Sequence, residues 1–238
     1  MRQQAAELNA RTNAELTRLG AVLAGFGDIS GLPPDVRGGM PVGICVAVKY
    51  PKDVIRGIAE LPTAEYHAWY DRLNEQLDMI VTHGAEFLRR NGYSAIAQTR
   101  ERVGLGEMVN STVLPHKTVA TRAGIGWIGK SALLVTEQYG SMVRLSSILT
   151  DAPLGCAAPV DEPKCGGCMK CTDACPGEAV SGRPWRAGVG REEFFDAAKC
   201  RKTAWERTKR SLDSDATLCG KCIEICPWTR RYLMTPND

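Results

Sequence analysis

The chemistry that this sequence offers most directly is that of thiolates, because eight of its ten cysteines lie between Cys165 and Cys226. The first run ends at Cys175-Pro176, and its spacings of two, two and three residues are those of bacterial ferredoxins. A second run ends at Cys226-Pro227. The eight residues are Cys165, Cys168, Cys171, Cys175, Cys200, Cys219, Cys222 and Cys226. Eight thiolates match the ligands of two [4Fe-4S] clusters, so we predict an iron-sulfur protein that transfers electrons.

The chain should cross between the two clusters, since in two-cluster ferredoxins the fourth cysteine of each run binds the other cluster. One cluster would then take Cys165, Cys168, Cys171 and Cys226, and the other Cys175, Cys200, Cys219 and Cys222. A pair of tetrahedral zinc sites is the alternative, because four thiolates also suit zinc. The two remaining cysteines lie outside the pattern, and we interpret Cys45 as a small core residue and Cys156 as having no role at the clusters.

Length and charge exclude several other classes of protein. A chain of 238 residues can bury a substantial core, unlike the short secreted chains in which clustered cysteines form disulfides. The net charge of +3 gives no argument for a nucleic-acid or membrane surface. We find neither a signal peptide nor a membrane span, and we expect a cytoplasmic location in which the thiols are reduced.

A glycine motif, GIGWIGKS at 124–131, satisfies the literal patterns of both a phosphate loop and a dinucleotide loop. Both loops require a buried strand directly before the first glycine. Here the preceding residues, HKTVATRA, have helical spacing. We therefore interpret the glycines as allowing close approach of the backbone to a large ligand, with an ATPase as the alternative.

Around these motifs, apolar periodicity predicts mixed α/β structure, with a boundary at Asp151-Ala152-Pro153. The predicted elements are a helix over about the first 25 residues, a strand over 42–50, a helix over 64–90 capped by Thr63, a strand over 94–98, a helix over 116–123, and a hairpin of 132–137 with 142–149. We predict an α/β domain over 1–153 and a small ferredoxin-like domain over 154–238 that needs its metal to build a core.

The segment NSTVLPHKTVATRAGIGWIGKSALLVTEQYGSMVRLSSILTDAPL, followed by CGGCMKCTDACPGEAV and CGKCIEICPW, resembles the epoxyqueuosine reductases and, more distantly, the cobalamin-dependent reductive dehalogenases. The resemblance covers about residues 66–228. It implies a nitroreductase-like α/β domain that binds base-off cobalamin, followed by two clusters that deliver electrons to cobalt. A flavin in that pocket is an alternative cofactor.

The resemblance also implies roles for single residues. The helix EYHAWYDRL is similar to the family's tyrosine-histidine helix, so Tyr66 is a catalytic candidate, with His67 and Tyr70 beside it. His116 is a second possible proton donor by its place in the motif. The cofactor-binding candidates are Asn110, Gly126, Lys130, Leu134 and Leu145.

One departure from the family pattern changes the expected substrate. The family's acidic proton donor falls on Asn110, whose amide cannot supply a proton at neutral pH. The polar residues that follow the lone cysteine in the family are here Arg201 and Lys202. In the family a helical-repeat platform for tRNA follows the clusters, and we expect none here, since the sequence ends at Asp238. We expect a reductase that acts on a substrate other than epoxyqueuosine, and we regard tRNA as an unlikely partner.

A different class of function is an electron carrier or reductive activator for a partner's corrinoid or metal centre. Between Arg183 and Arg210 there are nine basic and four acidic residues, which would suit an acidic flavodoxin or ferredoxin as donor. The acceptor would be a small molecule or a corrinoid protein. A carrier would need only the cluster domain, so the preceding 150 residues favour the reductase. A nucleic-acid protein with structural clusters ranks last, because no array of aromatic side chains accompanies the arginines.

Overall fold

A computed structural model describes residues 2–103 and 112–236. It has a mixed α/β part followed by a region of short helices. The strands are β1 Leu23–Asp28, β2 Val42–Lys49, β3 Ala95–Ala97, β4 Gly126–Ile128, β5 Leu134–Thr136 and β6 Val143–Thr150. The helices are α1 Arg2–Arg18, α2 Lys52–Arg56, α3 Ala64–Arg90, α4 Arg100–Val103, α5 His116–Arg122, α6 Lys170–Asp173, α7 Ala197–Leu212, α8 Lys221–Glu224 and α9 Pro227–Leu233.

The main sheet is antiparallel and has the strand order β1-β2-β6-β3. β2 is buried along its length except at its last residue, as its continuous apolar sequence predicts for a central strand. Its register with β6 pairs Ile44 with Ile148 and Cys45 with Ser147, so the first pair lies on one face of the sheet and the second on the other. Cys45 is fully buried, as predicted.

Helices cover both faces of this sheet. The α3 face holds the larger core, in which Ile44 and Ile148 pack with Leu73, Ile80 and Val81. α3 spans the predicted residues, and Thr63 Oγ1 caps it by accepting a hydrogen bond from the Tyr66 backbone N–H at 3.1 Å. On the other face α5 covers a smaller apolar group with Cys45, Val119, Leu134 and Leu149.

Two sequence predictions of secondary structure were wrong in detail. The first helix ends at Arg18 rather than near residue 25, because Val22 and Leu23 extend along β2 instead, with the Val22 N–H donating to the Ala47 carbonyl. The segments 132–137 and 142–149 do not form a hairpin. β5 pairs with β4 across a tight turn, while the eight-residue β6 lies between β2 and β3.

The last part of the chain consists mainly of short elements. They include a 3-10 helix over Arg191–Glu193, and the 16-residue α7 is the longest. A small apolar group joins Trp185 and Phe194 of this region to Trp127 of β4. Its last helices also supply Ile223 and Leu233 to the larger core. Within the described residues, no helix combines the length and apolar character that crossing a membrane requires.

Candidate metal and electron-transfer centre

Four thiols, Cys165, Cys168, Cys171 and Cys226, form what we call thiol group I. Burial raises the pKa of Cys171 to about 11, and the nearby thiols of Cys165, Cys226 and Cys168 raise it further. These four residues line a cavity of about 100 Å³, together with Cys222 and the turn Gly129–Ser131. The structure therefore brings Cys226 of the second run to three cysteines of the first run.

The other four, Cys175, Cys200, Cys219 and Cys222, form thiol group II. Burial raises the pKa of Cys200 to about 11, with a further contribution from Cys219 and Cys175. The pKa of Cys222 also lies well above its ordinary value, first because of burial and then because of thiols that include Cys171 of group I. The two groups thus adjoin each other, and Cys222 also lines the cavity of group I, so the assignment of each thiol to one cluster stays a prediction.

These groups fit a polynuclear metal cluster. Four thiols that raise one another's pKa are held as thiolates only where a positive centre compensates their charge, and a bound metal does so outright. No three His, Cys, Asp or Glu side chains of residues 2–103 and 112–236 converge on the position of one metal ion. The spacings of two, two and three residues in the first run, with proline after its last cysteine, are typical of iron-sulfur clusters rather than of zinc sites.

N–H donors face the sulfurs of group I. The indole Nε1 of Trp127 donates to Cys165 Sγ at 3.4 Å. Burial raises the pKa of Cys226, whereas the backbone N–H groups of Thr229 and Trp228, at the start of α9, lower it. N–H groups directed at a sulfur stabilise the thiolate and tune a bound cluster.

Group II has a different environment. The backbone N–H of Ala179 donates to Cys175 Sγ at 3.3 Å. Gly220, which begins α8 with φ of +76°, packs against the ring of Tyr66, and a Cβ there would lie 3.3 Å from the Tyr66 hydroxyl. The predicted catalytic Tyr66 is therefore buried beside the Cys219–Cys222 loop.

Sequence reasoning missed the arginine on the Tyr66 side of the sheet. Arg144 donates from Nη2 to Asn74 Oδ1 at 2.8 Å, and its guanidinium carbon lies 4.1 Å from the ring centre of Tyr70. Burial raises the pKa of Tyr66 well above its ordinary value, so its phenol is protonated at neutral pH. The available signal was an arginine inside the apolar strand MVRLSSIL.

Three other candidates lie on the opposite face of the sheet. Leu134 and Leu145 belong to the apolar group under α5, and a hydrogen bond of 2.9 Å joins His116 Nδ1 to Ser147 Oγ. Burial lowers the pKa of His116 to about 4, and Arg144 lowers it further, so His116 is neutral at pH 7. His116 therefore has no imidazolium proton to donate at that pH.

The remaining candidates have separate surroundings. Gly126 is required by the β4–β5 pairing, because a Cβ there would lie 2.2 Å from the Val135 carbonyl oxygen. Lys130 Nζ donates to the Cys168 carbonyl at 2.9 Å and so contacts the loop of group I. His67 Nε2 lies 3.6 Å from Asp71 Oδ2 on the next turn of α3. Asn110 lies outside the described residues, and the proposed contacts of these residues with a corrinoid stay predictions.

Known proteins resemble this chain both in its cysteine-rich region and over a longer segment. A family model described as a 4Fe-4S double cluster binding domain matches residues 164–229. The epoxyqueuosine reductase of Synechococcus sp. (strain CC9605) is 34% identical over 152 residues, which are 63% of this chain and 46% of that protein. The enzyme of the same name from Pseudomonas aeruginosa is 33% identical over 127 residues, covering 53% of this chain and 35% of that protein. The resemblance to epoxyqueuosine reductases is confirmed.

Solved structures confirm the fold class. An epoxyqueuosine reductase from Bacillus subtilis aligns over 95% of this chain and 66% of its own, with a TM-score of 0.60 and 21% identity. A catabolic reductive dehalogenase aligns over 92% of this chain and 31% of its own, with a TM-score of 0.68 and 20% identity. In these comparisons the chain spans less than half of the curated relatives and at most about two thirds of the solved structures.

Proposed function

We propose that the chain is an iron-sulfur oxidoreductase that uses cobalamin and reduces a substrate other than epoxyqueuosine in tRNA. The observation that carries this proposal is the cavity of thiol group I, which the glycine motif of the α/β part closes through Gly129–Ser131. An electron held at group I would therefore lie against the glycine motif of the α/β part. We further propose a cytoplasmic location, because eight reduced thiols need a reducing compartment.

The residues that would hold the corrinoid lie under α5. Leu134 and Leu145 share one apolar group, and we propose that they line the corrinoid, as the family resemblance implies. On the same face of the sheet, His116 and Ser147 provide polar atoms that would orient its edge. When bound, reduced cobalamin supplies a strong nucleophile or one-electron reductant.

The protonation states of the chain's own side chains limit how a proton can be supplied. Tyr66 keeps its hydroxyl proton at neutral pH, whereas neutral His116 can accept a proton or position a group. The amide of Asn110 has no acidic proton to give. None of these three side chains is a carboxylic acid, which is the proton donor that the family resemblance implies. The difference supports a substrate other than the one named for the relatives.

Metal analysis of the anaerobically purified chain tests this proposal. We expect about eight iron atoms per chain, as two cubane clusters require. We also expect co-purified cobalt, or a change in the absorption spectrum when cobalamin is added. Iron without any response to cobalamin would contradict the reductase proposal and leave the cluster assignment intact, whereas zinc without iron would overturn both.

A second candidate function, an electron carrier, is favoured by the exposed face of α7. Trp205 is 42% exposed, and it lines a shallow depression with Arg201 and Lys202, close in sequence to the group II cysteine Cys200. Cationic and aromatic side chains beside a redox centre suit an acidic flavodoxin or ferredoxin.

Reduction of the chain by flavodoxin at rising ionic strength tests this docking face. We expect the rate to fall steeply with salt and to fall further in Arg201→Glu, while Arg18→Glu on α1 serves as the matched surface control. A rate that does not depend on salt would remove α7 as the donor site. If the chain is a carrier, we also expect the reduced protein to pass its electrons to a partner protein without any bound corrinoid.

A further inference from the structure

Lys130 is a buried cation whose hydrogen-bond partners are neutral. Lys130 is 5% exposed. Its Nζ donates to the Cys168 carbonyl at 2.9 Å and lies 3.4 Å from Met169 Sδ. Among the described residues, the contacts of Lys130 Nζ are this carbonyl and this thioether, and neither carries a negative charge. A buried charge is costly unless an opposite charge compensates it, so a negative group is expected near Nζ.

The negative charge that the structure offers is that of thiol group I. Lys130 lines the same cavity as Cys165, Cys168, Cys171 and Cys226. A [4Fe-4S] cluster with four thiolate ligands carries a net negative charge, and one-electron reduction makes that charge more negative. A fixed cation at its edge therefore stabilises the reduced form more than the oxidised form.

We infer that Lys130 is the counter-ion of the cluster at thiol group I and raises the reduction potential of that cluster. The inference rests on the iron-sulfur part of the proposed function. It gives the lysine of GIGWIGKS a role in charge compensation, with no phosphate required. It also links the α/β part to electron transfer, because Lys130, which stabilises the reduced cluster at group I, belongs to the glycine motif.

Lys117 of α5 provides a matched control, because its side chain contacts the same turn between β4 and β5. Its Nζ donates to the Ala132 carbonyl at 2.9 Å, the same type of lysine-to-carbonyl bond that Lys130 makes. Lys117 is absent from the lining of the group I cavity. Lys117→Met thus removes a similar support of the turn and leaves the charge at the cavity in place.

The experiment is an EPR-monitored redox titration of the anaerobic holoprotein with Lys130→Met, Lys130→Arg and Lys117→Met, with the cluster at group II as internal reference. We expect Lys130→Met to shift the equilibrium between the reduced and oxidised forms of one cluster toward the oxidised form by at least tenfold. This change lowers the midpoint potential by at least about 59 mV for a one-electron couple. Lys130→Arg and Lys117→Met should leave both midpoints within a threefold change of the wild-type equilibrium.

The possible outcomes separate charge from packing. Unchanged midpoints in Lys130→Met, or an equal shift in Lys130→Arg, would overturn the inference. If Lys130→Met loses half of its iron while Lys130→Arg keeps all of it, the requirement for charge is supported. Equal iron loss in both variants would instead assign Lys130 a packing role. Absence of iron from the wild-type protein would refute the proposed function itself, before any variant is compared.

Discussion

The α/β part and the cluster region differ in the source of their buried surface. In the first, the 27-residue α3 and two eight-residue strands bury a continuous set of aliphatic side chains. In the second, α6 and α8 have four residues each, and the eight cysteines of the two thiol groups are partly buried. Apolar burial stabilises the first part in any metal state, whereas the second depends on what its thiols bind.

This difference predicts that ligand changes affect iron content according to the crossed arrangement. Cys165→Ser with Cys226→Ser removes two ligands of thiol group I, so we expect about half of the iron, roughly four atoms, to remain. Cys165→Ser with Cys175→Ser removes a ligand from each group, and nearly all of the iron should be lost. Iron and acid-labile sulfide analysis distinguishes the two double variants. The opposite result would mean that each run binds its own cluster.

The second prediction concerns the contact between the two regions at Gly140. This residue has φ of +58°, and a Cβ there would lie 2.2 Å from the Thr229 backbone nitrogen at the start of α9. Left-handed strain and overpacking each cost about 1–3 kcal/mol, so Gly140→Ala should lower the free energy of unfolding by about 3–5 kcal/mol. The clash should also displace Cys226, the N-cap residue of α9.

Gly39→Ala is the matched control for Gly140→Ala. Gly39 has φ of +75°, and no atom lies within 4 Å of the Cβ position. We expect backbone strain alone to lower the free energy of unfolding of this variant by about 1–2 kcal/mol, and we expect it to keep all of its iron. Thermal unfolding and iron content of both variants provide the measurement. Equal losses of stability would show that the contact with α9 adds nothing to backbone strain.

How much the sequence reveals also differs between the two regions. The Thr63 cap and the bounds of α3 follow from local hydrogen bonding and periodicity, which neighbouring residues determine. The match to a 4Fe-4S double cluster binding domain follows from a spacing rule tied to cluster geometry, whereas the membership of each thiol group stays a prediction. The partner of β5 could not be predicted in the same way, because strand pairing depends on contacts between distant segments. The place of Arg144 beside Tyr70 depends on the same long-range packing.

The third prediction tests the α/β part alone through pH. The pKa of His116 falls from 6.5 to about 4 on folding, because of burial and Arg144, while Asp78 opposes the shift. The unfolded chain therefore binds more protons between these values, and His116 lowers stability as pH falls from about 6.5 toward 4. At 1.36 kcal/mol per pKa unit, the full effect is at most about 3 kcal/mol.

His116→Gln should remove this dependence without removing iron. The measurement is the difference in thermal stability between the variant and the wild type at pH 7 and pH 5, since the acid lability of the clusters affects both proteins alike. We expect the wild type to lose more stability than the variant on acidification. A constant difference between the two proteins would show that His116 is protonated equally in the folded and unfolded states.

The smallest expected effect comes from the cap of α3. Thr63→Ala removes the acceptor for the Tyr66 N–H and should cost about 1 kcal/mol, whereas Thr63→Ser keeps the hydroxyl and should cost a few tenths. Tyr66 packs against Gly220 next to thiol group II, so this variant also asks whether the α/β part positions that group. If apolar packing alone holds Tyr66, Thr63→Ala will keep about eight iron atoms and the wild-type EPR spectrum. A changed spectrum of one cluster at full iron content would instead show that group II depends on the first turn of α3, and the two regions would then be coupled at this helix end.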